Sequence, residues 1–132
     1  MNIDQDLVLP VLVGAIVAFI IGGAYYAALG TLLARLSPAY AENGESAAAT
    51  IVVELARNLV IASVVAGLVA GLGHDSLAES LLLALALWVA FPVVLLAGSA
   101  FHEHVPLKLA AIHSGDWLLK LVVISGTIAI WR

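Results

Sequence analysis

Four long apolar runs, Leu7 to Ala34, Ala47 to Leu72, Leu77 to Phe101 and Leu107 to Trp131, take up almost all of this 132-residue chain. Each exceeds the roughly 20 residues needed to cross about 30 Å of hydrocarbon. A backbone in lipid must satisfy its own hydrogen bonds, which leaves helices and closed barrels. Runs this long, without period-2 alternation, are helices and not barrel strands. With 64% hydrophobic and 11% charged residues, the composition excludes an ordinary soluble domain. The links are short and polar: Arg35 to Ser46 with Ser37-Pro38 and Asn43-Gly44, Gly73 to Ser76 with His74-Asp75, and His102 to Pro106. The chain therefore reads as all-α: one domain over residues 1–132, an integral membrane four-helix bundle of up-down topology.

The few charges set orientation and exclude several classes. Asp4 and Asp6 precede an apolar run far longer than a signal-peptide core, so the first run is read as a retained helix. No cysteine is present, which removes disulfides, iron–sulfur clusters and thiolate zinc sites. A net charge of −4 without a basic block gives no footprint for nucleic acid. Arg35 and Lys108 fall on one side of an up-down bundle. Arg132 falls on the other, with Asp4, Asp6, Asp75 and Glu79. The positive-inside bias puts Arg35 and Lys108 in the cytoplasm and both termini outside, in a multi-pass protein of the inner (plasma) membrane.

Inside the second and fourth runs sit groups that lipid penalises by at least about 2.5 to 3.5 kcal/mol each. Glu54, Arg57, Asn58 and Ile61 recur at i, i+3, i+4, i+7, and so do His113, Asp116, Trp117 and Lys120, so each helix carries one polar stripe. Counting from the helix starts puts Arg57 and Asp116 at one depth, Glu54 and His113 a turn nearer the cytoplasm, and Lys120 a turn deeper. In a square bundle these parallel helices are diagonal, both stripes face the axis, and Arg57 with Asp116 is the leading candidate pair. Glu54, Arg57, Asp116 and Lys120 cancel in charge, as a structural network would. His113 adds a group that titrates near neutral pH.

Other features concern packing. Gly67 and Gly71 form a GxxxG pair away from the charged stripe and predict a second close-packed face, a candidate oligomer contact. Gly14, Ala18 and Gly22 repeat small-residue spacing, with Gly23 and Gly30 as further close-approach points. Pro92 removes a backbone donor and predicts a kink near Trp88. Tyr25, Tyr26, Tyr40 and Trp131 lie toward run ends, where interfacial aromatics sit, whereas Trp88 and Trp117 lie deep and need partners for their indoles.

The turn His102-Glu103-His104 has metal-like composition, but spacing fixes no third ligand, so no metal or other cofactor is assigned. No catalytic triad order, phosphate loop or HExxH motif appears, and the chain is not read as an enzyme.

Trp88, Phe91, Pro92, Gly98, Phe101-His102-Glu103, Pro106 to Leu109, Ile112 to Leu118 and Trp131 together form a pattern. So do Tyr25-Tyr26 followed by Gly30. Over most of its length, and most specifically in the third and fourth runs, the chain resembles the small bacterial membrane proteins of domain of unknown function 1761. Members commonly carry Asn-Ala-Gly-Tyr in the last helix. His113-Ser114-Gly115-Asp116 is a charged departure from that pattern. The resemblance implies a four-helix integral membrane fold and carries no activity.

Two functions are open from the residues. In one, Glu54, Arg57, Asn58, His113, Asp116 and Lys120 bind or move protons or a small polar solute. In the other, a structural or accessory membrane protein, the same charges only form interhelical salt bridges. The expected partners are membrane lipid and other copies of the chain in a homo-oligomer, since four helices leave little room for a complete permeation path.

Overall fold

A computed structural model describes residues 5–41 and 46–131, all helices and short turns, with no strand among the described residues. Asp4, the Asn43-Gly44 turn and Arg132 lie outside the described residues. The first run divides. Helix α1 spans Gln5–Ala28, breaks at Leu29, and resumes as α2, Gly30–Leu36, beside Gly30, a poor helix former. Pro38–Ala41 forms the single turn α3.

The second run is α4, Ala47–Gly71, started by Ser46, whose hydroxyl accepts from the Ala49 amide. Two residues past its end, Gly73 takes the left-handed φ of 67° that glycine adopts without strain. A capping box opens α5, Leu77–Trp88: Ser76 Oγ accepts from the Glu79 amide and the Glu79 carboxylate accepts from the Ser76 amide. At Pro92 the expected break takes the form of a π-helical turn, Val89–Val93, immediately after Trp88. A wider turn accommodates the residue that cannot donate. Helix α6, Val94–His102, follows, and after a tight turn α7 runs from Leu107 to Trp131.

Three helical stretches, Gln5–Ala28, Ala47–Gly71 and Leu77–His102, are long and apolar enough to cross a membrane. The 25-residue α7, interrupted by Asp116 and Lys120, packs against α1, α4, α5 and α6. The helix least suited to lipid is thus the one the others surround, which keeps its polar groups off the hydrocarbon.

Helices α1 and α7 run in opposite directions. Tyr25 bonds to Ile112, Gly22 faces Asp116 and Lys120, and Gly14 faces Ile124 and Thr127. Small residues allow this approach: Gly14, Ala18 and Gly22 are all buried, and a Cβ on Gly14 would touch the Ile124 backbone at 3.7 Å. Gly23 and Gly30 are not close-approach points; nothing lies within 4 Å of where their Cβ atoms would stand. The Gly67/Gly71 pair does not form one outer face either. Gly67 is buried with Val65, Ala66 and Val69 inside the chain's own packing, while Gly71 is exposed. A helix azimuth is set by all its contacts, and here the larger apolar neighbours turn Gly67 inward.

Two apolar clusters result. The larger joins α1, α4, α5 and α7 through Leu7, Val11, Ala62, Val69, Ala84, Ile124 and Ile128. The smaller gathers Leu33, Leu109 and Ile112 with Tyr25, Tyr26 and Val105 at the opposite end. The polar groups lie between them.

Candidate functional site

Helix α4 buries Asn58, Ala62, Val65, Ala66 and Val69, an i, i+4, i+7, i+8, i+11 stripe. One and two turns earlier the same face carries Glu54 and Ile51, yet every residue from Ala47 to Val53 is exposed. The first turns of α4 therefore stand away from the neighbouring helices and leave a cavity of about 490 Å³. Glu54, Arg57 and Asn58 line it from one side and His113, Asp116, Trp117 and Lys120 from the other. All six residues singled out in the sequence thus face one space.

Their pairing differs from the expected one. Arg57 does not meet Asp116; its guanidinium bonds Glu54 Oε1 at 2.5 Å on the preceding turn of its own helix. Lys120 Nζ lies 2.8 Å from Asp116 Oδ2, also one turn back, and 3.5 Å from Glu54 Oε2. The physical reason is side-chain direction: long helical side chains lean toward the N-terminus, so each cation reaches the acid one turn behind it. Helices α4 and α7 are direct neighbours, not diagonal ones, and Glu54–Lys120 is the ion pair across them. Exposure separates the two cations, since the Arg57 side chain is 49% exposed and that of Lys120 only 3%.

Not every polar atom is satisfied. Asn58 is fully buried, and neither its Nδ2 nor its Oδ1 has a hydrogen-bond partner among the described residues. Asp116 Oδ1 is in the same position. A buried polar group left unpaired costs roughly 1 to 3 kcal/mol, so a fully buried carboxamide without a partner is a costly feature.

Aromatic residues close the end of the cavity near the smaller cluster. Tyr26 OH shares a 2.7 Å hydrogen bond with His113 Nδ1, while Tyr25 OH donates to the Ile112 carbonyl at 2.7 Å. Tyr40, from α3, stacks on Tyr26 with planes 8° apart and lies 6.1 Å from the His113 ring. Tyr40 is both partly exposed and cavity-lining, which puts it at the mouth. Read from the sequence, these tyrosines were interfacial anchors. The signal for a site role was the Tyr25-Tyr26 doublet, whose position on α1 becomes meaningful only once α1 is known to run antiparallel to α7. The deep Trp88 finds its partner too, donating Nε1–H to the Ser114 carbonyl at 2.8 Å.

At the far turn, His104 takes a left-handed φ of 55° and the His102 ring packs edge-on against Phe101. Among the described residues, no group of three or more His, Asp or Glu is arranged to hold a metal ion.

No curated protein and no solved structure matches this chain. Residues 9–129 match a family described as protein of unknown function (DUF1761). That span takes in both polar stripes, the tyrosine doublet, Pro92 and the His102–Pro106 turn, and the chain belongs to the DUF1761 family.

Proposed function

We propose that this is a multi-pass membrane protein of four spans, α1 with α2, α4, α5 with α6, and α7, packed up and down around an intramembrane binding site for a small polar solute. Asn58 carries this reading. A network kept only for stability is expected to satisfy its own members, whereas here both amide atoms of Asn58 and the Asp116 Oδ1 of the ion-pair chain are buried without a partner beside the cavity. A solute whose entry turned these side chains toward the cavity would supply the missing partners. Arg35 and Lys108 mark the cytoplasmic side, and a second copy of the chain would complete any path across the membrane.

The test compares wild type with Asn58→Leu by native mass spectrometry after gentle release from membranes, together with equilibrium unfolding. The expected result is a bound non-lipid mass on wild type that the variant lacks, while the variant unfolds at higher denaturant because an orphaned polar group is gone. No bound mass, with a variant that unfolds more easily, would mean that Asn58 serves the fold. The second reading would then stand, in which Glu54–Lys120 holds α4 to α7 and the protein is structural or accessory.

A further inference from the structure

Among the four charged residues that line the cavity, Arg57 alone keeps an accessible edge to offer. Lys120 and Asp116 are buried against each other, and Glu54 is held between Lys120 and Arg57. The Arg57 side chain is 49% exposed, and among the described residues its one hydrogen bond runs from Nη1 to Glu54. A guanidinium carries five N–H donors in a planar fork, so Arg57 can take a second acceptor beside Glu54. Helix α4 is long and apolar enough to span a membrane, and a half-exposed cation within such a span is costly until a counter-charge covers it.

The space beside Arg57 is partly apolar. Helix α6 buries none of its residues and packs on α7 and the π-helical turn, while residues 47–53 of α4 are all exposed. The cavity therefore runs into a cleft with Ile51 of α4 on one edge and Leu96 of α6 on the other, and Phe19 of α1 also lines it. Its volume of about 490 Å³ lies within the range of small-molecule sites.

We propose that the site takes a small organic monocarboxylate, with the carboxylate on the free edge of the Arg57 guanidinium and the apolar body in the cleft between Ile51 and Leu96. Carboxylate geometry matches the guanidinium fork, and such charge-assisted pairs are roughly twice as strong as neutral hydrogen bonds. One free edge beside Glu54 suits a single negative charge; a dianionic phosphate would set a second charge against that carboxylate. The proposal rests on the solute-binding reading above and names the class of solute.

Three probes of similar size separate the charge classes: benzoate, benzylammonium and benzyl alcohol. Each is titrated calorimetrically into the full chain in lipid nanodiscs, with empty nanodiscs as the blank for partition. Benzoate is expected to bind about tenfold or more tightly than either of the others, the scale of a hydrogen bond to a charged group. Arg57→Gln should lose that preference while unfolding close to wild type, and Arg57→Lys, which keeps the charge without the fork, should fall between. Glu54→Gln removes the competing carboxylate and should bind benzoate more tightly than wild type, a gain that lower stability cannot produce. Oleate added to the nanodisc lipid separates two sources of the same head group. Displacement of benzoate would assign a membrane-derived carboxylate and no displacement a water-borne one, and either upholds the class. Tighter binding of benzylammonium or benzyl alcohol to wild type, or benzoate binding that survives Arg57→Gln, would overturn the proposal and leave a binding cavity standing. No binding of any probe above the blank would overturn both.

Discussion

The Tyr25 hydroxyl crosses α7 directly over Gly115, so closely that a Cβ on that glycine would stand 2.5 Å from the phenolic oxygen. No real Cβ makes such a contact, so this residue pair locks α1 against α7 at the level of the polar groups. Gly115→Ala is expected to push Tyr25 off the Ile112 carbonyl and destabilise the protein by about 1 to 3 kcal/mol, as overpacking does. In a Tyr25→Phe background the nearest remaining atom is Cζ at 3.4 Å, so the alanine should be far better tolerated. A double-mutant cycle by equilibrium unfolding should give a coupling of about 0.5 to 3 kcal/mol, and strict additivity would show that the two residues do not meet.

Lys120 and Arg57 should differ sharply when truncated. Lys120 is buried against two carboxylates, so Lys120→Met leaves Asp116 and Glu54 without their shared cation and should cost roughly 3 to 5 kcal/mol. Arg57→Met removes a half-exposed partner and should cost about 0 to 1 kcal/mol. Equal losses in the same unfolding assay would contradict this arrangement.

Trp88 ties the end of α5 to the middle of α7, immediately before the π-helical turn. Trp88→Phe keeps the ring and removes the donor. The expected loss is about 0.6 kcal/mol and at most roughly 1.7, the range of interhelical hydrogen bonds in membranes. Hydrogen exchange should quicken first at residues 89–93, where the helix ladder is already interrupted. Uniform acceleration along α5 and α6 would argue against a local tether.

Tyr40 stands at the cavity mouth, stacked on Tyr26. Tyr40→Ala should raise both the association and dissociation rates of a small polar solute that enters the cavity while changing its affinity much less, because a mouth residue governs passage more than the bound state. Stopped-flow mixing reads both rates; unchanged rates would remove Tyr40 from the path.

Much of this molecule is local and was legible in the chain. The limits of α7, the interruption at Pro92, the small-residue stripe of α1 and the six polar residues follow from run length, a missing N–H, residue size and the penalty of charge in lipid. Each is a property of one residue or one helix. Other features depend on how two helices are turned and slid against each other. The lean of Lys120 toward Asp116 and Glu54, the inward turn of Gly67 and the reach of Tyr26 to His113 are of this kind.

By itself, then, the sequence determined the long helical runs and which side chains lipid penalises, because both follow from short-range chemistry along a single helix. The tertiary structure alone decided that Arg57 turns away from Asp116, that α4 stands off to open a cavity, and that Asn58 is buried without a partner. Azimuth and register between helices are settled by the sum of many small packing contacts spread over several helices, and no single stretch of sequence contains that sum.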